Sequence, residues 1–352
     1  LAAQLERDVA ARQNGPQRDV IAAWAAETAG LIGAHGAQLD ARGRHGFVRH
    51  CHGDLHLSNL CLLDGVPTPF DALEFSDEIA TIDVLYDLAF VLVDLEHRGL
   101  SHLSMRLLSR YLEWTRDYAG LSLLPLFMGL RSMVRALVAL SKGRPADALI
   151  AAAYEAVSAP RTPFLVAVGG LSGTGKTTVA RALAHPLRAV IVRSDSARKH
   201  LAGVAPEAPL PKEAYTPQST ADVYRRLRVD ARRALRAGWP VILDATFLAR
   251  SERDAVAAVA HSAGVPFRGI WLEAPGDVLR ERVGERVGDA SDADAAVVNA
   301  QQARDPGPID WSRYGAARDA ATLAETIVRD LRLPTRSDAA TVSLPSRAGS
   351  SG

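Results

Sequence analysis

Lysine is nearly missing from this chain. Across 352 residues it stands only at Lys142, Lys176, Lys199 and Lys212, and arginine supplies almost all other positive charge. A position that keeps lysine against such a bias is a candidate for needing a compact ammonium in place of a planar guanidinium. Cysteine is scarcer still. Cys51 and Cys61 give no disulfide framework and do not suggest secretion. No uninterrupted run approaches the roughly 18 apolar residues of a membrane span. The opening LAAQLERDVA lacks the basic and apolar blocks of a signal peptide. These absences lead to the expectation of a cytoplasmic protein with no membrane partner. A net charge of +1 makes no global case for a nucleic-acid binder. What remains is ordinary for a globular protein: 48% hydrophobic and 23% charged residues, in a chain long enough for two separate cores. The charge is uneven. The part before about residue 160 leans acidic and the part after it basic, as expected if the second part handles phosphates.

The fold class expected is α/β, with a mostly helical part before it. Residues 17–42 read as a helix with an apolar face, FVRHC as a short strand, and LCLLDGVPTPFDALEF as hairpin-like with Asp-Gly as its turn signal. From Asp83 to about Val157 the pattern is helical. SAPRTP, residues 158–163, has linker chemistry. Strand and helix then alternate. FLVAVGG, AVIVRSD, PVILDATF and FRGIWLEAP read as strands, with helices between them, which implies a parallel sheet covered on both faces. The domains expected are therefore 1–157, 164–335 and a disordered tail, 336–352. Residues 203–217, GVAPEAPLPKEAYTP, form a long Pro-rich loop within the second domain.

Gly170–Thr177, GLSGTGKT, matches G-x-x-x-x-G-K-[ST] in full, between an apolar strand and an amphipathic helix. The chemistry explains the residue types. Gly173 and Gly175 let the backbone wrap phosphate oxygens, so that N–H groups and the helix N-terminus face the negative charge. Lys176 reaches the β- and γ-phosphates, and Thr177 offers a hydroxyl to Mg²⁺. Gly170, Ser172, Gly173, Thr174, Gly175, Lys176, Thr177 and Thr178 are thus the candidate nucleotide-binding residues. Downstream, Asp195 and Arg198 stand i, i+3 in SDSARKH, on one face if a helix begins there. Asp195 suits a base and Arg198 an anion contact; an N-cap followed by a solvated arginine is the competing reading. Asp244 closes VILD as a Mg²⁺-ordering carboxylate or as a structural strand end. Arg280, Arg282 and Arg286 share one helical segment, and Arg282 and Arg286 one face. Together they make either a lid over a transferring phosphoryl group or a solvated surface.

Taken in order, the P-loop, D-x-x-R, the long loop, VILDATF-x₄-ER, WLEAP, R-x-R-x₃-R, SDAD and Gln301 resemble the P-loop (AAA-type) kinases. That group includes polynucleotide 5′-kinases, zeta-type toxins, chloramphenicol phosphotransferase and gluconate kinase. The resemblance covers about residues 163–335. It implies ATP-dependent phosphoryl transfer to a hydroxyl, with Asp195 as base, Arg198 on the substrate, Arg282 and Arg286 as lid arginines, and ATP and Mg²⁺ as cofactors.

The first half carries HGDLHLSN at residues 52–59, followed by Asp71 and by Asp87 in YDLAF. This resembles the catalytic segment of aminoglycoside phosphotransferase-like folds. The resemblance implies Asp54 as base, Asn59 and Asp71 as Mg²⁺ ligands, and Asp87 as a brace for the loop. His50, Cys51, His52, His56 and Cys61 also crowd together, but their spacing is no zinc pattern. The kinase-like N-lobe, with its glycine-rich loop and lysine, has no counterpart before HGD. With a chain that starts at Leu1, the expectation is a truncated parent and an incomplete first site.

The partner expected is a small-molecule or nucleotide hydroxyl substrate, and the sequence has no reading of oligomeric state. The alternatives are a nucleotide-binding regulatory module, and a longer parent in which the first half carries the chemistry.

Overall fold

The structure, a computed structural model, describes residues 1–74, 76–284, 291–316 and 319–333. Arg286 and the 336–352 tail lie outside the described residues. The chain forms two compact units. One joins Leu1–Ser104 with Ser122–Pro160; the other joins Met105–Leu121 with the residues from Arg161 onward. Residues 105–121, expected in the first domain, therefore pack with the second unit.

The first unit opens with α1 (Ala2–Ala10) and α2 (Pro16–Arg44). Gly15 at φ 61 and Pro16 at the first helical position start α2, the proline spending no useful N–H there. Then come β1 (Val48–His50), β2 (Leu60–Leu63), β3 (Val66–Pro69), α3 (Asp77–Ala80), β4 (Thr81–Asp83) and α4 (Val84–His97). β2 and β3 pair antiparallel around Asp64 and Gly65, both at positive φ, as a tight hairpin turn requires. β1 pairs antiparallel with β4. α5 (Ser101–Thr115) carries the chain into the second unit, and α6 (Leu124–Ser141) and α7 (Asp147–Ser158) return it to the first. α6 packs against α1, α2, α4 and α7, so Trp24, Leu92, Phe127, Met133 and Ile150 share a buried interior.

Among the described residues, α6 alone has the length and apolar composition to cross a membrane, with 56% of that window buried in the fold. It reaches that length only with two arginines inside it. Arg131 lies over the rings of Tyr86 and Phe90 at 3.7 and 3.0 Å, and Arg135 pairs with Asp94. Both are answered by protein groups, as suits a core helix.

The second unit begins at β5 (Leu165–Gly170) and α8 (Lys176–Ala184). It continues through β6 (Val190–Arg193), α9 (Ser194–Leu201), α10 (Pro217–Arg236), β7 (Val241–Asp244), α11 (Arg250–Ser262) and β8 (Phe267–Glu273). It ends with α12 (Gly276–Gly284), α13 (Ala295–Gln302), β9 (Ser312–Gly315) and α14 (Ala320–Leu331). The sheet order is β6-β7-β5-β8-β9, every pair parallel. Strands covered on both faces read as unbroken apolar runs, and β5 to β7 are buried throughout. On one face Val166, Val168, Ile191, Ile242 and Ile270 meet Val179 and Leu183 of α8 and Leu323 and Ile327 of α14. α10 and α11 cover the other face. There Trp311 lies so close to the sheet that a Cβ at Gly269 would stand 2.2 Å from its ring. β9, SRYG, escaped the sequence reading because it is short and mostly exposed.

Met105–Leu121 belongs to this unit for a physical reason. Arg116 and Asp230, exposed by 2% and 0%, form a buried ion pair, and Asp230 also accepts from Arg226 Nε at 3.1 Å. Tyr118 donates its buried hydroxyl to the Ile191 carbonyl at 3.1 Å. Asp230→Ala leaves the Arg116 guanidinium buried and uncompensated, and is expected to destabilise the unit by about 3–5 kcal/mol. Arg116→Met costs less, because Asp230 keeps its α10 partners. Denaturant midpoints of the two variants check the order; equal losses would refute it.

Candidate functional site

β5 delivers the P-loop at the carboxyl edge of the sheet, where β5 lies between β7 and β8 and ligands of open α/β folds bind. Gly170 ends the strand. Gly173 at φ 89 and Gly175 at φ 83 turn the loop through conformations that L side chains rarely adopt. Gly173 is fixed twice over, since a Cβ there would stand 2.6 Å from the Leu279 carbonyl oxygen of α12. Thr174 closes the loop by donating to the Leu171 carbonyl at 2.8 Å, and Lys176 Nζ donates to the same oxygen at 2.8 Å. α8 begins directly at Lys176, so its first N–H groups and the positive end of its dipole face the loop. Ser172 N–H donates to Gln301 Oε1 of α13 at 2.8 Å.

Across β5, Thr177 Oγ1 donates to Asp244 Oδ2 at 2.6 Å. The structure thus brings the two proposed Mg²⁺-side residues into contact. Arg193, at the end of β6, completes the group. Its Nε lies 3.3 Å from Asp244, its Nη2 3.3 Å from Thr177, and its Nη1 3.5 Å from Glu113 of α5. Neither Arg193 nor Glu113 was singled out from sequence, where a lone charge in a strand or helix carries no address.

Ser172–Val179, Asp195, Arg198, Tyr215, Asp244, Glu252, Arg282, Asp292, Gln301 and Arg304 all line one cavity of about 1040 Å³. Its size is at the upper end of ordinary ligand clefts, about 300–1,000 Å³. α9 does begin at SDSARKH, and places Asp195 and Arg198 on this wall. Arg198 is held by the Ala214 carbonyl and the Ser219 and Thr220 hydroxyls at 3.1–3.3 Å, and lies 4.7 Å over the Tyr215 ring. Arg282 donates to the Ala316 carbonyl at 2.9 Å and also faces the cavity. Burial pushes the Glu252 carboxyl above its usual range, against the opposing hydrogen bonds from Ala249 N–H and the Tyr224 hydroxyl. Arg253, next to it, is a structural pin: it donates to the carbonyls of Phe247, Leu248, Pro306 and Pro308.

The Pro-rich loop is tied down by Asp292. Its Oδ2 accepts from Lys199 Nζ at 2.5 Å, Tyr215 Oη at 2.5 Å and Leu210 N–H at 3.1 Å. Lys199, one of the few lysines, is 1% exposed. A point charge that can serve the Ala208 carbonyl and Asp292 together explains a lysine there.

In the first unit the HGD loop is held as a unit. Asp87 Oδ2 and Oδ1 accept from His52 and Gly53 N–H at 3.1 and 3.0 Å, and Asp94 Oδ2 from Leu57 N–H at 3.0 Å. Asn59 is buried and donates to the Asp54 carbonyl at 3.1 Å. Asp54 lies 3.4 Å from His56, and Asp71 is exposed at φ 61. Among the described residues no three His, Cys, Asp or Glu side chains group as a metal site.

Residues 165–308 match a protein family described as an AAA domain. The match falls within the second unit and takes in its P-loop. Over 282 residues the chain is 34% identical to uncharacterized proteins of Mycobacterium tuberculosis and Mycobacterium bovis, a match that takes in 76% of this chain and 55% of theirs. The chain therefore spans about half the length of the curated relatives it matches. Similar solved structures include a gluconokinase from Sinorhizobium meliloti, at 24% identity, TM-score 0.33, over 49% of this chain and 93% of that one. An APS kinase from Mycobacterium tuberculosis matches at 23% identity, TM-score 0.35, over 49% and 98%.

The partners of Asp292 generate a pH prediction. Burial would raise its carboxyl, but the bonds from Lys199, Tyr215 and Leu210 outweigh burial and hold it below its ordinary 3.8. The carboxylate is favoured in the fold, so its stabilisation is complete above the ordinary range and is lost as pH falls through the lowered value. Unfolding free energy is expected to fall more steeply between about pH 4.5 and 2.5 in the parent protein than in Asp292→Asn. Identical acid limbs in chemical denaturation would remove the latch role.

Proposed function

We propose that the P-loop domain is an ATP-dependent kinase that phosphorylates a hydroxyl of a small molecule or nucleotide. One observation carries the reading: the P-loop, the Thr177–Asp244 pair, Asp195, Arg198 and Arg282 all line a single cavity. A phosphate-binding loop alone would suit a nucleotide sensor. A carboxylate and two arginines facing the same space add what transfer requires.

In this reading the P-loop amides and Lys176 hold the β- and γ-phosphates, Lys176 exchanging the Leu171 carbonyl for phosphate oxygens. Asp195 accepts the acceptor's hydroxyl proton while that oxygen bonds to the γ-phosphorus and the bond from phosphorus to the ADP oxygen breaks. Arg282 stands where charge spreads over the transferring oxygens, and Arg198 holds an anionic or polar group of the acceptor. Thr177 and Asp244 suit a Mg²⁺ site, because a hydroxyl and a carboxylate at 2.6 Å offer hard oxygen donors beside the phosphate loop. Bound there, Mg²⁺ would neutralise charge on the β- and γ-phosphates. Two free cysteines and the absence of a disulfide among the described residues support a cytoplasmic setting.

A second reading concerns the first unit. Asp87 holding both His52 and Gly53 supports an aminoglycoside phosphotransferase-like loop, in which Asp54 would be the base and Asn59 and Asp71 the metal ligands. The two readings separate cleanly. With γ-labelled ATP and a panel of hydroxyl acceptors, Lys176→Ala and Asp195→Ala are each expected to lower transfer by at least about 10²-fold, and Asp54→Ala to leave it unchanged. Transfer that survives both P-loop-domain substitutions but is lost in Asp54→Ala would move the chemistry to the first unit.

A further inference from the structure

Arg193 is a cation that touches both residues of the proposed Mg²⁺ site. It is buried, 2% exposed, and its guanidinium spans Asp244, Thr177 and Glu113. These three contacts are long, 3.3–3.5 Å, against 2.6 Å for the Thr177–Asp244 bond. Toward Asp244 and Glu113 the guanidinium presents one nitrogen each, where a bidentate fork would give two parallel bonds to one carboxylate. Glu113 is itself divided, since its other oxygen accepts from Arg110 Nη1 at 2.9 Å. Arg110 in turn pairs with Glu207 in the Pro-rich loop. The result is an alternating ladder, Glu207–Arg110–Glu113–Arg193–Asp244, running from the loop to the P-loop threonine.

Resting on the nucleotide reading above, we infer that Arg193 is a stand-in cation, which satisfies Asp244 and Thr177 when Mg²⁺ is not bound and withdraws toward Glu113 when it is. The electrostatics require some such exchange. A divalent ion at Asp244 and Thr177 stands within a few ångströms of a buried guanidinium, where like charges repel far more strongly than in water. Asp244 cannot serve both cations at full strength. Glu113 supplies the second seat, so α5 sets how readily the metal enters. Arg193 acts through Asp244 and Thr177 and is a positioning residue.

The inference predicts a thermodynamic coupling that needs no turnover. Affinity for a non-hydrolysable ATP analogue is measured by titration calorimetry in EDTA and in saturating Mg²⁺, and the gain due to Mg²⁺ is taken as a ratio. Arg193→Met is expected to raise that ratio by about tenfold or more, because metal-free analogue loses a cation and Mg²⁺ loses a competitor. Glu113→Gln is expected to lower it, because Arg193 then leans more strongly on Asp244. In the double variant Glu113→Gln should have no further effect. A ratio that is unchanged or lower in folded Arg193→Met overturns the inference and leaves the nucleotide reading standing. If Arg193→Met does not fold, Glu113→Gln decides, and an unchanged or raised ratio overturns it. A parent protein that binds the analogue under neither condition overturns both.

Discussion

The hydrogen bond from Thr177 to Asp244 fixes the first turn of α8 against the end of β7 across β5, and the working end of the second unit is arranged around it. It joins a helix N-terminus, rich in unpaired N–H groups, to a buried carboxylate that cannot stay unanswered. Arg193 from β6 and, through it, Glu113 from α5 answer that carboxylate. β8 and α12 close the other flank, with the Leu279 backbone against Gly173. The cavity is therefore walled by elements that the sheet itself holds in register.

Much of this was legible in the residues. The P-loop and the strands β5 to β8 could be read because a parallel strand buried on both faces is an apolar run. Asp195 and Arg198 could be placed because a helix starting after β6 puts i and i+3 on one face, which is what α9 does. The Asp-Gly hairpin and Asp87 as the brace of the HGD loop were equally open to reading. β9 was not, since four half-exposed residues leave no periodic signal. Arg193 and Glu113 were invisible for a different reason: a burial pattern says which face of an element is covered, never by what. Lys199 lies between these cases. Its rarity marked it, but only coordinates could show Asp292 opposite.

The same limit explains the misplaced boundary. Residues 104–119 read as one more helix in a helical series, and a helical pattern cannot tell which core a helix will join. The decision rests on three groups, Glu113, Arg116 and Tyr118, whose partners lie 73–114 positions further along the chain, distances at which sequence pattern is silent.

That crossing has a consequence for how such a chain can be inherited. A P-loop domain is often thought of as a cassette that recombination can move whole, cut at the linker before its first strand. Here the cassette's outer wall is encoded upstream, inside the reading frame of the neighbouring unit. A crossover at the linker would hand the recipient a domain with a buried aspartate short of one arginine and a strand-end arginine short of its glutamate. As folded, the second unit thus draws on sequence from both sides of the linker.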